Sequence, residues 1–429
     1  MEEVRDLRCH HRLHGRWTRK RGVLLRAVDS SVPVVVLNLV GTDLQHGALS
    51  IVRSLGRLGV HVYGIHSDSS AVASSRYLRQ EHIWSIDKRS SQDTVDYLLD
   101  LGGRIGRQAI LIPTDDVGTT LVEDNASRLR QRFQFPYQPP GLARSLSSKK
   151  EMYYLCQEMG VATPTAVFPE SRDDVLKFID HAVLPVVVKG IDAWLIHRSA
   201  RVTGIKGVVI ARDSAELLEI YDTAEILGPP NMLLQEYIPG GMETVWMFNG
   251  YFDEHSDCLV GFTGRKLRQH PPYTGFTTLG ECLRNDTVER TTTEFMKRLG
   301  YKGVLDIGYR FDARDGQYKL LDVNPRVGGT FRLFVGANGM DVVRALYLDL
   351  TGQEVLSTTH IEGRKWIVEN YDALSSWRYY RDGRLSFRRW LRSLRGIREG
   401  AWFAFDDPLP LLKMCWRSVA KLVGRVLKK

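Results

Sequence analysis

An uninterrupted β-branched run, Val32-Pro-Val-Val-Val-Leu-Asn-Leu39, limits the fold more than any other stretch of this 429-residue chain. Side chains alternate across a strand, so a run that is apolar at every position must be covered on both faces, as in a parallel sheet. The loop Gly41-Thr42-Asp43 follows. A helical pattern through Ala48, Ile51, Val52, Leu55 and Leu58, closed by Gly59, leads to a second strand from Val60 to His66, and another strand lies at Ala109–Pro113. Residues 32–140 therefore read as an α/β domain built on a parallel sheet. Its first loop lacks GxGxxG, which argues for a scaffold wall of a cleft and against a dinucleotide site.

Pro136, Pro139, Pro140 and Gly141 punctuate the chain before a helix predicted over Ser147–Met159 and stopped by Gly160. Beyond it come short strands at Leu184–Lys189, Val208–Ala211 and Met232–Tyr237, with a helix over Ser214–Leu227. This alternation makes residues 141–352 an α+β region. Residues 1–31 read as a flexible basic arm, and residues 353–429 as an aromatic, basic extension ending in an amphipathic helix.

No run of eighteen apolar residues occurs, and the arm is not followed by an apolar stretch of signal-peptide type, so the expected setting is cytoplasmic. The five cysteines show no CxxC spacing, which argues against a disulfide framework or a zinc knuckle. The net charge of +9 is local: from Ser376 to Lys429 there are fourteen Lys or Arg against four Asp or Glu, so the rest of the chain is near neutral. The basic helix from Pro410 could lie on an anionic membrane, pack on the catalytic body, or meet a second subunit in a homodimer. Nucleic acid is disfavoured because no recognised binding module accompanies the charge.

The chemistry concentrates in Lys319-Leu-Leu-Asp-Val-Asn-Pro-Arg326. Alternate strand residues share a face, so Asp322 and Asn324 project together as hard oxygen ligands suited to magnesium. Pro325 ends the strand, and Arg326 adds a planar cation for phosphate or carboxylate oxygens. Such a set answers the need of phosphoryl transfer between two anionic groups, whose repulsion has to be cancelled by fixed cations and a metal.

This segment resembles the metal-binding strand of the ATP-grasp superfamily of carboxylate–amine ligases, which includes D-alanine–D-alanine ligase, D-aspartate ligase and carbamoyl-phosphate synthase. Other landmarks match in order over roughly residues 32–352. Lys149, in Ser147-Ser-Lys-Lys-Glu-Met152, resembles the first nucleotide-contacting lysine, with Lys150 as a substitute, and Lys189 resembles the second. Gln235-Glu236-Tyr237-Ile238 resembles the hinge whose backbone reads adenine, and Glu243 the ribose-binding carboxylate. The resemblance implies an ATP-grasp domain over 141–352 with its nucleotide cleft between two α+β lobes. It further implies ATP and magnesium, or manganese, as cofactors, and small-molecule carboxylate and amine substrates. Lys266 and Arg268, alternating onto one face if Gly264–Pro272 is a strand, and Arg332 after the metal strand are the expected catalytic or substrate-anchoring cations beside Arg326.

Two features depart from that pattern. The segment Gly190–Gly204 is longer and bulkier than a glycine-rich phosphate loop, with Arg198, Arg201 and Lys206 as candidate sources of charge. Glycine also stands at position 308, where the family's other metal carboxylate would fall; Asp306 on the same strand face is the expected replacement, with Asp312 as an alternative. The resulting expectation is an ADP-forming ligase acting through an acyl phosphate. Its rivals are a catalytically impaired ATP-binding scaffold or regulatory protein of the same fold, and a bicarbonate-using carbamoyl-phosphate synthase-like enzyme.

Overall fold

The computed structural model describes residues 28–40, 45–68, 70–86, 89–191, 207–226 and 231–426, with side chains described as far as residue 420. The arm over 1–27 and the segment 192–206, with Arg198, Arg201 and Lys206, lie outside the described residues.

The β-branched run forms β1 (Val34–Asn38), buried at every position. It is the middle strand of a parallel five-stranded sheet with β2 (Val62–His66), β3 (Leu78–Ile83), β4 (Ala109–Pro113) and β5 (Phe133–Gln134), in the order β3-β2-β1-β4-β5. One face of β1, through Val34 and Val36, packs with Leu49, Val52 and Leu55 of the helix His46–Gly56; the other, through Val35 and Leu37, packs with Val95 and Leu98 of the helix Ser91–Ile105. Asp115 ties the domain together at the cleft end. Its carboxylate caps the helix Asp116–Asp124 by accepting from Gly118 N at 2.7 Å, and it accepts from Leu39 N at 2.6 Å beyond the end of β1.

The predicted helix after the prolines forms as Lys149–Met159, and a short helix that the sequence reading did not include, Leu142–Ser147, precedes it. Ser148 stands between them in an extended conformation and caps the second helix through Glu151 N, while Gly160 terminates it at φ 68°. A small antiparallel sheet follows, made of β6 (Ala166–Val167), β7 (Val186–Gly190), β8 (Val208–Ala211) and β9 (Met232–Glu236) in the order β6-β9-β7-β8. Val186, Val188 and Leu234 pack on Leu217 and Tyr221 of the helix Ser214–Glu225.

The third sheet has seven strands. These are β10 (Val245–Phe252), β11 (Cys258–His270), β12 (Phe276–Cys282), β13 (Gly303–Asp312), β14 (Gln317–Asn324), β15 (Lys365–Ile367) and β16 (Ile397–Gly400), ordered β14-β13-β10-β11-β12-β15-β16. Two of them come from the extension, so the break in sequence pattern near residue 352 is not a break in packing. Phe248, Ile307, Tyr309 and Val323 turn to the covered face, against Met152 and Cys156 of the helix Lys149–Met159 and Phe295 of the helix Asp286–Leu299. Their neighbours Met247, Asp306, Gly308, Asp322 and Asn324 turn to the other face. Two lobes, a small antiparallel one and a large one that is antiparallel except for the β15–β16 pair, thus lie beside the parallel-sheet domain.

Candidate active site

A cleft of about 2310 Å³ opens where the three sheets meet. Its floor is the uncovered face of β13 and β14. In their antiparallel register Asp306 stands opposite Asn324 and Gly308 opposite Asp322, so one patch carries two carboxylates and an amide. The two glycines near them make the room: a Cβ at Gly308 would lie 2.8 Å from Asp322 Oδ1, and one at Gly328 would collide with the Asp306 carboxylate. Burial pushes the Asp306 carboxyl up to about 6, against the pull of Arg326 and with the added repulsion of Asp322. Burial also raises Asp322, but Lys266, Lys189 and Lys149 outweigh it and hold that carboxyl below the ordinary range.

The three lysines arrive from separate elements. Lys149 opens its helix, Lys189 lies near the end of β7 in the small lobe, and Lys266 lies on β11 in the large one. Burial lowers Lys189 to about 8, Asp322 working against this and Lys149, Lys266 and Arg310 adding to it. Crowded cations around one carboxylate are what a polyanionic ligand would relieve. Lys150 also lines the cleft, yet its ammonium pairs with Glu170 at 3.6 Å.

The hinge follows from the end of β9. Strand pairing stops at Glu236, so the main chain of Tyr237 and Ile238 continues past the last ladder partner, along the cleft wall. The Glu236 side chain is occupied elsewhere, accepting from Thr165 N at 3.0 Å and pairing with Arg314 and Lys319. Gln235 is buried in the strand at the same wall. Glu243 lies at the rim, accepting from Gly241 N at 3.0 Å.

Arg326 lines the cleft with its guanidinium already engaged: Nε donates to Asp116 Oδ1 at 2.6 Å and Nη2 to Asn324 Oδ1 at 3.1 Å. It therefore ties the parallel-sheet domain to the carboxylate patch.

Three expectations meet different surroundings. Arg332 does not line the cleft; it is buried between Asp341, at 2.5 Å, and Glu399, at 2.8 Å, and has no free side for a substrate. Arg268 does not simply share a face with Lys266. The register shifts between them, so they stand opposite Gly280 and Leu279, adjacent residues of β12, and Arg268 closes on both oxygens of Asp372 at 2.8 and 2.7 Å. Asp312 is locked by Arg314 and Lys319, which hold its carboxyl well below the usual range, and it does not reach the patch.

Residues missed at sequence level include Arg310 and Asp116. Arg310 lies on the cleft face of β13 two residues past Gly308, a spacing that alternation alone could have flagged, and it donates to Gly240 O at 2.7 Å. Asp116 follows the C-terminal end of β4, the end where parallel sheets place their ligands. His46, buried and lowered to about 4 by that burial, and Tyr379, Arg384 and Arg389 of the extension also line the cleft; nothing local in the sequence marks them.

A parallel-sheet domain followed by two lobes encloses a lysine- and carboxylate-lined cleft, the arrangement expected from the resemblance to ATP-grasp proteins. The chain has the fold shared by the solved structures it resembles. No family model matches the sequence. Among curated proteins it is similar to the D-aspartate ligase of Enterococcus faecium, at 24% identity over 247 residues, which span 56% of this chain and 58% of that relative's own length. Among solved structures it resembles the L-amino acid ligase from Bacillus licheniformis, with a TM-score of 0.57 and 14% identity over 75% of each chain. It also resembles N5-carboxyaminoimidazole synthetase from Staphylococcus aureus in complex with ADP, with a TM-score of 0.59 and 11% identity over 80% of this chain and 82% of that one.

Proposed function

We propose that the chain is an ATP-dependent ligase that activates a small-molecule carboxylate as an acyl phosphate and joins it to an amine. The observation that carries this reading is the convergence of Lys149, Lys189 and Lys266 on Asp322 in a cleft whose wall holds the hinge at Tyr237 and Ile238. The D-aspartate and L-amino acid ligase relatives support the reaction class, and the ADP-bound neighbour supports a nucleotide in this cleft.

In this scheme the adenine lies along the hinge and the phosphates along the lysines. A carboxylate oxygen of the first substrate attacks the γ-phosphorus, the bond to the β-γ bridging oxygen breaks, and ADP leaves. The amine nitrogen then attacks the acyl carbon, phosphate departs with the C–O bond electrons, and the nitrogen loses a proton to give the amide. The lysines hold and neutralise the transferring phosphoryl group, and Arg326 keeps Asn324 in place.

Asp306, Asp322 and Asn324 are the residues that would hold magnesium, or manganese in its place. Two carboxylates and an amide oxygen suit a hard cation that also keeps waters and phosphate oxygens. Bound there, the cation supplies charge neutralisation at the phosphates. A cytoplasmic setting completes the reading, and with it a homodimer and the extension as the part nearest any membrane.

Incubation with ATP, magnesium and panels of carboxylates and amines, read by ADP release, tests the proposal; AMP as product would exclude it. Gly308 favours one competing reading, a nucleotide-binding scaffold that has lost turnover. Nucleotide binding without ADP release, indifferent to Asp322→Ala, would establish that alternative. ADP release driven by bicarbonate alone would indicate the carbamoyl-phosphate type of chemistry.

A further inference from the structure

Asn249 is an amide in an apolar place. It lies on β10 between Met247 and Tyr251, turns to the same face as both, and is fully buried. On β11 it stands opposite Phe262, and Met247, Tyr251 and Phe262 all belong to one apolar core. The Tyr251 hydroxyl is already taken, donating to Asp349 Oδ2 at 2.6 Å. Neither Nδ2 nor Oδ1 of Asn249 has a hydrogen-bond partner among the described residues. A buried amide without partners destabilises a fold, so its presence here calls for a reason.

The strand on its other side supplies one. In the register of β10 on β13, Asn249 stands directly opposite Asp306, which in turn stands opposite Asn324 on β14. Side chains opposed in this way have Cβ atoms about 4.5–5.5 Å apart, within reach of a hydrogen bond from an amide to a carboxylate. Asn249 is near enough to favour the ionised Asp306 carboxyl, yet it closes no hydrogen bond of normal geometry with it. The rest of the patch is fastened: Asn324 Nδ2 donates to Asp306 O and to Asp322 Oδ2, each at 3.3 Å, and Asn324 Oδ1 accepts from Arg326 at 3.1 Å. Among these polar side chains the Asp306 carboxylate is the one that no closed hydrogen bond holds.

We propose that Asn249 is a positioning residue for the candidate metal site: when Asp306 turns one carboxylate oxygen to a divalent cation, Asn249 Nδ2 donates to the other and fixes the orientation of the group. Carboxylates that hold metals depend on such partners, and loss of one commonly weakens metal binding by about ten- to a hundredfold. The arrangement belongs to this chain. With glycine at 308, the patch relies on Asp306 for its second carboxylate, and on β10 and β11 the face beside Asp306 offers Asn249 alone among apolar side chains. The inference rests on the metal site of the proposed ligase and not on the identity of its substrates.

The test is calorimetric titration of manganese(II) into the full-length protein, without nucleotide and again with ADP present, beside thermal melting of the same preparations. Asn249→Leu keeps nearly the same size and lacks the donor. It should bind manganese about tenfold more weakly, or worse, while melting at or above the wild-type temperature, because an unpartnered polar group has left the core. Should the Leu variant melt lower, Asn249→Ala, which adds no bulk, decides by the same loss of affinity. Wild-type manganese affinity in a folded variant marks Asn249 as structural and overturns the proposal. So does a wild-type protein that binds no manganese in either state. A protein that binds manganese as expected, loses that binding in the variants and releases no ADP with any substrate pair would overturn the ligase reading and leave the role of Asn249 standing.

Discussion

Gly308 and Asp322 stand opposite each other in the register of β13 and β14, close enough that a Cβ on residue 308 would lie 2.8 Å from Asp322 Oδ1. The carboxylate occupies the space a side chain at 308 would take. Gly308→Ala should therefore displace the end of a flexible side chain and leave the backbone alone. Stability should change by under about 1 kcal/mol, while ADP release falls at least about tenfold. Urea unfolding and a coupled ADP assay on the same preparation separate the two; a large loss of stability with activity intact would contradict this account.

Removal of the carboxylate itself is the stronger perturbation. Asp322→Asn keeps the shape but leaves Lys149, Lys189 and Lys266 without the anion they surround. ADP release should drop by two orders of magnitude or so, measured at saturating ATP so that weaker binding does not mask the effect.

Lys189 sits at about 8 in the free protein because burial and neighbouring cations disfavour its charged form. A bound polyphosphate favours the charged form and raises that value, so nucleotide binding near pH 8 should take up protons from solution. Calorimetry in buffers of different ionisation enthalpy reads the proton count. Proton uptake should shrink by pH 6.5, where Lys189 is already charged, and should be absent in Lys189→Met.

Asp306 is raised to about 6 in the folded protein, so the fold binds a proton there that the unfolded chain gives up at lower pH. The stability this group contributes is complete below its unfolded value near 4 and is lost as pH rises through 6. Asp306→Asn should thus be more stable than wild type at pH 7, by about 1–2 kcal/mol, with the gap closing toward pH 4.5. Denaturant titrations at the two pH values check this, and ADP release by the variant should be impaired despite its greater stability.

Arg332 makes the opposite case. With Asp341 and Glu399 closed on it, Arg332→Ala removes the cation they share, leaving Glu399 to Arg364 and Asp341 to Arg344, and should cost about 3 kcal/mol. Had it anchored a substrate carboxylate, the variant would show a raised KM with stability intact; denaturant midpoints beside KM values distinguish the two.

Much of the fold is legible in the amino-acid sequence. The β-branched run forms the central parallel strand, Gly160 ends its helix, and the strand Ala109–Pro113 has the bounds its pattern suggests. These features depend on a residue and its near neighbours, through alternation, capping and propensity. The side-by-side placement of Asp322 and Asn324 follows from the same period of two.

The placement of Asp306 next to Asp322 needed the register of β13 on β14, and the separation of Lys266 from Arg268 needed a bulge that alternation does not encode. Arg332 looked free because its partner Glu399 lies 67 residues on, and the extension looked appended because its two strands complete a sheet begun at residue 245. Sequence by itself determined the elements set by local alternation and capping, among them the central parallel strand and the helix ended by Gly160, and the order of the cleft's charged residues. Only the tertiary structure decided which charges face one another, because an ion pair depends on distance in space, and that is set by the packing of the whole chain.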